Sequence, residues 1–398
     1  MRLLCLSNGH GEDRIAGTIL AALQQEQSQA VLRALPLVGT GHTYRQMGIP
    51  LVGPARNLPS GGFLQTGLVQ DVRAGLWGLV WQQRRAVREW AQTAPRGIVL
   101  AVGDIWPLWL AWQSGRSFIF VATAKSEYHW RDEARPLPKT HWLEGWAGSV
   151  FYPWERWLIR RSLATFPRDE LTTTWLKRWR LPVTWVGNPM MDGLEPTGDL
   201  VVPGFEEAMV IVLLPGSRAP EAYRNWELIL QALPGVIECL TAPQILFLAA
   251  IAPGLDRAPI EAALRQSRWP VFPGVGYGYG QVGLVVTQEH FNDCLHLAHA
   301  GIALAGTATE QLVGLGKPVV SFPGKGPQYT RHFARYQQRL LGVSLRLVDE
   351  PAQVGAVLQE ILTDPDQLDL IARNGRRRMG TAGASVTIAR LISQYLRG

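Results

Sequence analysis

Apolar residues in this chain gather in short runs that stop at small or polar residues. After most runs they return at every third or fourth position. The runs Leu3–Leu6, Ile98–Val102, Phe118–Ala122, Leu163–Phe166, Ile211–Leu214, Ile245–Ala250, Val282–Val286, Ile302–Ala305 and Val319–Phe322 are largely apolar, several with two or more β-branched residues, and too short for helices. They predict strands buried on both faces. The periodic stretches between them predict helices. In the clearest one, over 221–240, Tyr223, Trp226, Ile229, Leu230, Leu233 and Ile237 share a face. Others cover Ile15–Gln24, Leu171–Trp179, Pro259–Gln266 and Val386–Leu396, and Val183–Val186 adds a strand after the second of these. Strands alternating with helices predict an α/β protein with doubly wound parallel sheets.

Punctuation divides the chain. Gly187-Asn188-Pro189 and Pro196-Thr197-Gly198 interrupt the pattern where the composition changes, which places one domain over 1–188 and a second over 189–380. Gly274 to Gly280 alternates glycine with apolar residues but precedes a strand instead of a helix, so it reads as a hairpin or loop and not as a dinucleotide fingerprint. Asp364-Pro365-Asp366 stands before a helical pattern and reads as a helix cap, although its spacing mimics a metal-binding D-x-D.

Four strand ends carry candidate chemistry. The first run enters Ser7-Asn8-Gly9-His10-Gly11-Glu12-Asp13, where Arg14 replaces the third glycine of a Rossmann fingerprint. Gly103-Asp104 follow the Ile98 strand, at the edge of a parallel sheet where ligands bind, and a carboxylate there suits a general base or a helix cap. Pro215-Gly216-Ser217-Arg218 ends the Ile211 strand and opens a helix, so backbone amides, a helix N-terminus and a guanidinium meet at one turn. Gly306-Thr307-Ala308-Thr309-Glu310-Gln311 repeats the arrangement after the Ile302 strand.

Leu213-Leu214-Pro215-Gly216-Ser217-Arg218 with Glu221, then Ala305-Gly306-Thr307-Ala308-Thr309-Glu310-Gln311 and Gly316-Lys317-Pro318-Val319-Val320, resemble lipid-A-disaccharide synthase, an inverting glycosyltransferase of GT-B fold. Asn8 to Asp13, Val102-Gly103-Asp104 and Val186 to Asp192 extend the resemblance over most of the chain. Gly326-Pro327-Gln328-Tyr329-Thr330, with Phe333, Gln337, Gln338 and Gly342, is similar instead to the lipid-linked N-acetylglucosaminyl transferase of peptidoglycan synthesis. The pattern is that of a divergent relative. The resemblance implies two Rossmann-like domains facing a cleft, with residues 381–398 forming a helix that returns to the first domain. It also implies a UDP-sugar co-substrate, no metal or other cofactor, and a lipid or lipid-linked acceptor. Asp104 or His10 would be the base. Gly216, Ser217, Arg218, Gly306, Thr307 and Thr309 would hold the diphosphate, and Gln328 the sugar. The family's ribose-binding carboxylate falls in register with Gln311, and Glu310 stands one position early. Asn8, Gly9, Gly11 and Glu127 would serve the acceptor. The amphipathic segment Gly61–Trp90, with Leu68, Leu76, Trp77, Trp81, Arg84 and Arg85, occupies the place of a lipid-receiving patch. The alternatives are a UDP-sugar epimerase of the same fold and a non-catalytic nucleotide-sugar binder.

Charge sharpens this reading. Residues 1–195 carry 22 Lys and Arg against 15 Asp and Glu, while residues 196–398 carry 17 of each, so the whole net charge of +7 is N-terminal. Fourteen of the 16 tryptophans lie there too. Basic residues among tryptophans suit an anionic membrane surface, which places the protein in the cytoplasm on the inner face of the membrane. No RNP pattern, zinc spacing or basic helix points to nucleic acid. Three scattered cysteines form no disulfide framework, and no run is long enough to span a bilayer.

Overall fold

The computed structural model describes residues 2–56, 75–138 and 146–397. Leu68 and the rest of 57–74 lie outside the described residues. The chain forms two compact units: residues 1–193 with 381–398, and residues 194–380.

In the first unit, strands β1 (Arg2–Ser7), β2 (Val31–Pro36), β3 (Ile98–Gly103), β4 (Ser117–Ala122) and β5 (Ala164–Pro167) form a parallel sheet in the order β2-β1-β3-β4-β5. Every residue of β3 is buried, as an unbroken apolar run requires when helices cover both faces. The helices are α1 (His10–Glu26), α2 (His42–Gln46), α3 (Leu76–Thr93), α4 (Ile105–Gln113), α5 (Pro153–Ile159) and α6 (Glu170–Lys177). The strand order reverses between β1 and β3, and such a reversal opens a crevice at the carboxyl ends of the two strands. The expected strand over 183–186 shrinks to one bridge, Val183 opposite Thr165. Pro182 offers no amide with which to extend that ladder.

The second unit holds β6 (Met209–Leu214), β7 (Ile245–Ala250), β8 (Val271–Phe272), β9 (Gly276–Tyr279), β10 (Val282–Thr287), β11 (Ala300–Ala303), β12 (Val319–Ser321) and β13 (Leu345–Leu347). Their order is β13-β12-β11-β6-β7-β10-β9-β8, parallel except for β8 and β9. The glycine-alternating segment is thus a hairpin arm, with Tyr279 opposite Val282. Its helices are α7 (Glu221–Cys239), α8 (Arg257–Gln266), α9 (Phe291–Leu297), α10 (Thr307–Gly314), α11 (Arg331–Leu341), α12 (Val354–Leu362) and α13 (Pro365–Met379). Trp226 on α7 is fully buried, and its indole N–H donates to Ile260 O at 3.1 Å. Asp364 caps α13 by accepting from Gln367 N at 3.0 Å. Here the reversal lies between β6 and β11.

The last helix, α14 (Ala384–Arg397), packs on α1 within the first unit, where Arg390 reaches Glu26 at 3.2 Å. Asp192 fixes its start by accepting from Gly383 N at 2.5 Å and Ser385 N at 2.6 Å. The turn Pro189–Met191 and Asp192 therefore belong with the first unit, and the division falls after Gly193, beyond the punctuation at Gly187 to Pro189. Asp192→Ala leaves two amides unpaired. It is expected to lower the unfolding free energy by about 1–2 kcal/mol, read from the urea midpoint at unchanged slope.

Candidate functional site

In the second unit the two candidate turns are neighbours. β6 and β11 pair in parallel with Leu214 opposite Ala303, so the turns that follow them leave the same sheet edge side by side, at the point where the strand order reverses. Gly216 has φ 102°, and a Cβ there would lie 3.3 Å from Leu304 O, so only glycine lets the turns approach this closely. Ser217 is exposed, Arg218 half-buried, and α7 begins three residues later with no side-chain cap. Gly306 is the N-cap of α10, also without a side-chain cap, and Thr307 is exposed.

Side chains behind the turns dictate which way their peptides face. Asn225, buried on α7, donates through Nδ2 to Pro215 O at 3.0 Å and Leu304 O at 3.3 Å. Gln337, buried on α11, donates to Ala305 O at 3.0 Å and Gly306 O at 3.1 Å. A trans peptide points its carbonyl and the following N–H in opposite directions. Drawing four carbonyls inward therefore turns the amides of Gly216, Ala305, Gly306 and Thr307 away from the braces. With the first turns of α7 and α10, these amides line a concavity of the kind that suits an anion.

The remaining candidates divide. Thr309 is buried, and its hydroxyl donates to Ala305 O at 2.7 Å, which spends its proton on the helix. Gln311 is buried whereas Glu310 is half-buried, so of the two residues weighed for a ribose contact the carboxylate is the more accessible. Gln328 is half-buried in the loop after β12. Asn225 was not among the sequence candidates. Its signal was a polar residue on the apolar face of α7, next to Trp226.

In the first unit the loops after β1 and β3 meet at that sheet's reversal. Gly103 has φ 133°, and a Cβ there would lie 2.9 Å from Asn8 Cβ and 3.5 Å from Glu12 Cγ. Asp104 is both at the strand end and the N-cap of α4, accepting from Trp106 N at 2.8 Å. Burial raises its pKa. Hydrogen bonds from Trp106 N–H and the Asn8 side chain, and the charge of Lys125, oppose that rise. Lys125 is held by both oxygens of Glu155 at 2.7 Å. Gly9 and Gly11 frame the first turn of α1; His10 opens that helix, and its side chain lies outside the described residues.

Below this edge Ser7 links Asp13 and Tyr44, each at 2.5 Å. Burial pushes the Asp13 carboxyl up from 3.8 to about 7, against the Ser7 hydrogen bond and with Glu12 adding to the rise. The stability this neutral carboxyl confers is complete below the ordinary carboxylate pKa and is lost as pH climbs to about 7. Wild type should therefore lose stability relative to Asp13→Asn by up to roughly 1.4 kcal/mol per pH unit across that window, measured by denaturant titration from pH 4 to 8.

Glu127 is fully buried and accepts from Ser149 Oγ at 2.5 Å, Arg131 Nε at 2.6 Å and Val150 N at 3.1 Å. It holds its own loop and exposes no carboxylate surface. On α3, Trp77 and Trp81 are 66% and 68% exposed one turn apart, while Leu76 is half-buried. Arg84 is half-buried and donates to Gln113 Oε1 at 3.1 Å, and Arg85 pairs with Glu89 at 2.7 Å.

No family model matches the chain. It is 25% identical over 274 residues to the lipid-A-disaccharide synthase of Geobacter sulfurreducens, a match covering 60% of this chain and 63% of that one. It is 28% identical over 239 residues to that of Syntrophotalea carbinolica, covering 54% and 57%. The matches thus span about three-fifths of the length of these curated relatives. Among solved structures, the calicheamicin glycosyltransferase aligns with TM-score 0.60 at 15% identity, covering 100% of this chain and 98% of that one. The Staphylococcus aureus MnaA–UDP complex aligns with TM-score 0.59 at 13%, covering 100% and 97%. The UDP-GlcNAc 2-epimerase of Neisseria meningitidis bound to UDP-GlcNAc aligns with 0.56 at 14%, covering 99% and 100%. At such identities these likenesses speak for the fold, which is GT-B. Fold, motifs and sequence matches together make this chain a divergent relative of the lipid-A-disaccharide synthases.

Proposed function

We propose that the protein is an inverting, metal-independent glycosyltransferase that moves a sugar from a UDP-sugar to a lipid or lipid-linked acceptor at an anionic membrane surface. The observation that carries this reading is the pair of braced turns at the β6/β11 reversal, whose outward amides, helix N-termini and Arg218 match a diphosphate. The sequence relatives supply the reaction class, and the UDP and UDP-GlcNAc held by two proteins of like fold support the donor.

In the reaction, the acceptor hydroxyl loses its proton to Asp104 or His10 and its oxygen attacks the anomeric carbon from the face opposite the diphosphate. The bond from that carbon to the diphosphate oxygen breaks as the new one forms, and UDP leaves with the electron pair. Amides aimed at the leaving group stabilise its growing charge without having to reorganise. A carboxyl whose pKa burial has raised is the better proton acceptor. For the membrane, the exposed indoles of Trp77 and Trp81 share α3 with Arg85, and of the exposed Trp154 and Trp157 on α5 the latter lies under the Arg161 guanidinium. Indoles favour the headgroup level, and each cation adds about 1 kcal/mol near anionic lipid. Among the described residues no helix is long and apolar enough to cross a membrane.

UDP is expected to raise the thermal midpoint, since a ligand at 100 times its Kd stabilises by about 2.7 kcal/mol, while adenosine diphosphate should not. No shift with UDP at millimolar concentration removes the donor assignment. A second reading, a UDP-sugar epimerase, draws on the likeness to such an enzyme. Conversion of UDP-GlcNAc to an isomer with no acceptor present would favour it.

A further inference from the structure

The loop between β12 and α11 lies one strand beyond the β11 turn, and a single carboxylate ties it down. Glu221, the first residue of α7, is 5% exposed. Both its oxygens accept from Gln328 N at 3.1 Å, and Oε1 also accepts from Tyr329 N at 2.5 Å. Gly326 rests directly on it: a Cβ there would lie 2.2 Å from Glu221 Cγ and Cδ. The loop then closes on itself through Gly324 N donating to Tyr329 O at 3.0 Å. The Tyr329 hydroxyl, 2.6 Å from Ser321 Oγ, donates to Gln337 Oε1 at 3.0 Å. Gln337 is the side chain that orients the Gly306 peptide.

A buried negative charge beside an anion site opposes the ligand unless it performs a compensating task. Here that task is to gather amides from a loop more than a hundred residues away. Neighbouring strands lie about 4.8 Å apart, so this loop stands one such step from the β11 turn and two from the β6 turn, within reach of a sugar carried by a diphosphate held there.

We propose that Glu221 is a positioning residue for the sugar end of the donor: without touching the ligand, it fixes the 324–329 backbone beside the Ser217-Arg218 turn. The inference rests on the donor reading above and names the group that discriminates UDP-sugar from UDP. Glu221→Gln keeps the shape but turns an NH2 toward amides that need an acceptor. Gly326→Ala displaces the same contact from the other side.

Calorimetry with UDP and UDP-N-acetylglucosamine on wild type and both variants tests it, alongside hydrogen exchange of the 324–329 amides. Loss of a buried hydrogen bond to a charged acceptor should raise the ratio of the UDP-N-acetylglucosamine Kd to the UDP Kd by about tenfold in each variant. The UDP Kd itself should move less than about threefold, and the Gln328 and Tyr329 amides should exchange at least about tenfold faster while those of β6 and β7 keep their rates. An unchanged ratio overturns the inference, as does equal weakening of both ligands with a general fall in protection. Failure of wild type to bind either ligand overturns the donor reading, and this inference with it.

Discussion

Asp104→Asn is expected to lower turnover by about 10²- to 10⁴-fold, the range a positioned general base supplies, with little loss of stability. The two effects separate because Asp104 does two things. One is structural: its carboxylate accepts from Trp106 N at the start of α4. Asparagine caps helices as well as aspartate does, so the variant keeps α4 in place. The other is chemical, and asparagine cannot take a proton. Asp104→Ala removes both, and should add a stability loss of about 1 kcal/mol to the same loss of turnover. Turnover by the asparagine variant within about threefold of wild type would move the base role to His10, whose alanine variant should then fall instead. Lys125 and Asn8 flank the carboxyl and oppose its rise. Burial outweighs them, so the acid limb of the pH–rate profile should lie above the ordinary aspartate range and vanish in the asparagine variant.

Arg218→Ala should weaken UDP binding by about 10- to 100-fold, corresponding to roughly 1.5–3 kcal/mol for a hydrogen bond to a charged partner. The guanidinium stands at the turn where the β6 amides and the α7 N-terminus already favour an anion, so its loss subtracts from a site that persists. Arg218→Lys should recover only part of the affinity, because an ammonium keeps the charge but not the fork that grips two phosphate oxygens. Raising the salt should reduce the difference between wild type and the alanine variant, since screening weakens the contribution of a half-buried charge. Calorimetry across a salt series measures both. An alanine variant that binds UDP like wild type would show that the diphosphate is held elsewhere.

The parts of this protein that could be read from its residue order are those whose physics is local. β3, β6 and β7 are apolar throughout because both their faces are covered, and such runs stand out against any background. The turns after β6 and β11 were legible because glycine, proline and hydroxyl residues cluster where a strand gives way to a helix. Distant partners hid the rest. Asn225 matters through the carbonyl of Leu304, far along the chain, and Gln337 through Ala305 and Gly306. Glu127 looks available in the sequence, yet Ser149 and Val150 take one of its oxygens and Arg131 the other. The tryptophans were uniform as letters but not as surroundings: Trp90 is buried on the inner side of α3 while Trp77 and Trp81 project outward. Val183, taken alone, reads as a strand, and only its neighbour Pro182 shortens the pairing to one bridge.

The discontinuity of the first unit bears on synthesis. Its sheet is finished once β5 has emerged, but α14, which covers α1, is translated only after the whole of residues 194–380. The unit encoded in one piece needs no later segment to close; the one begun first must wait for α14 with a flank of α1 uncovered. A chain truncated after residue 380 and released should thus present a protease-resistant second half and a cleavable beginning, a completion order opposite to the order of the codons.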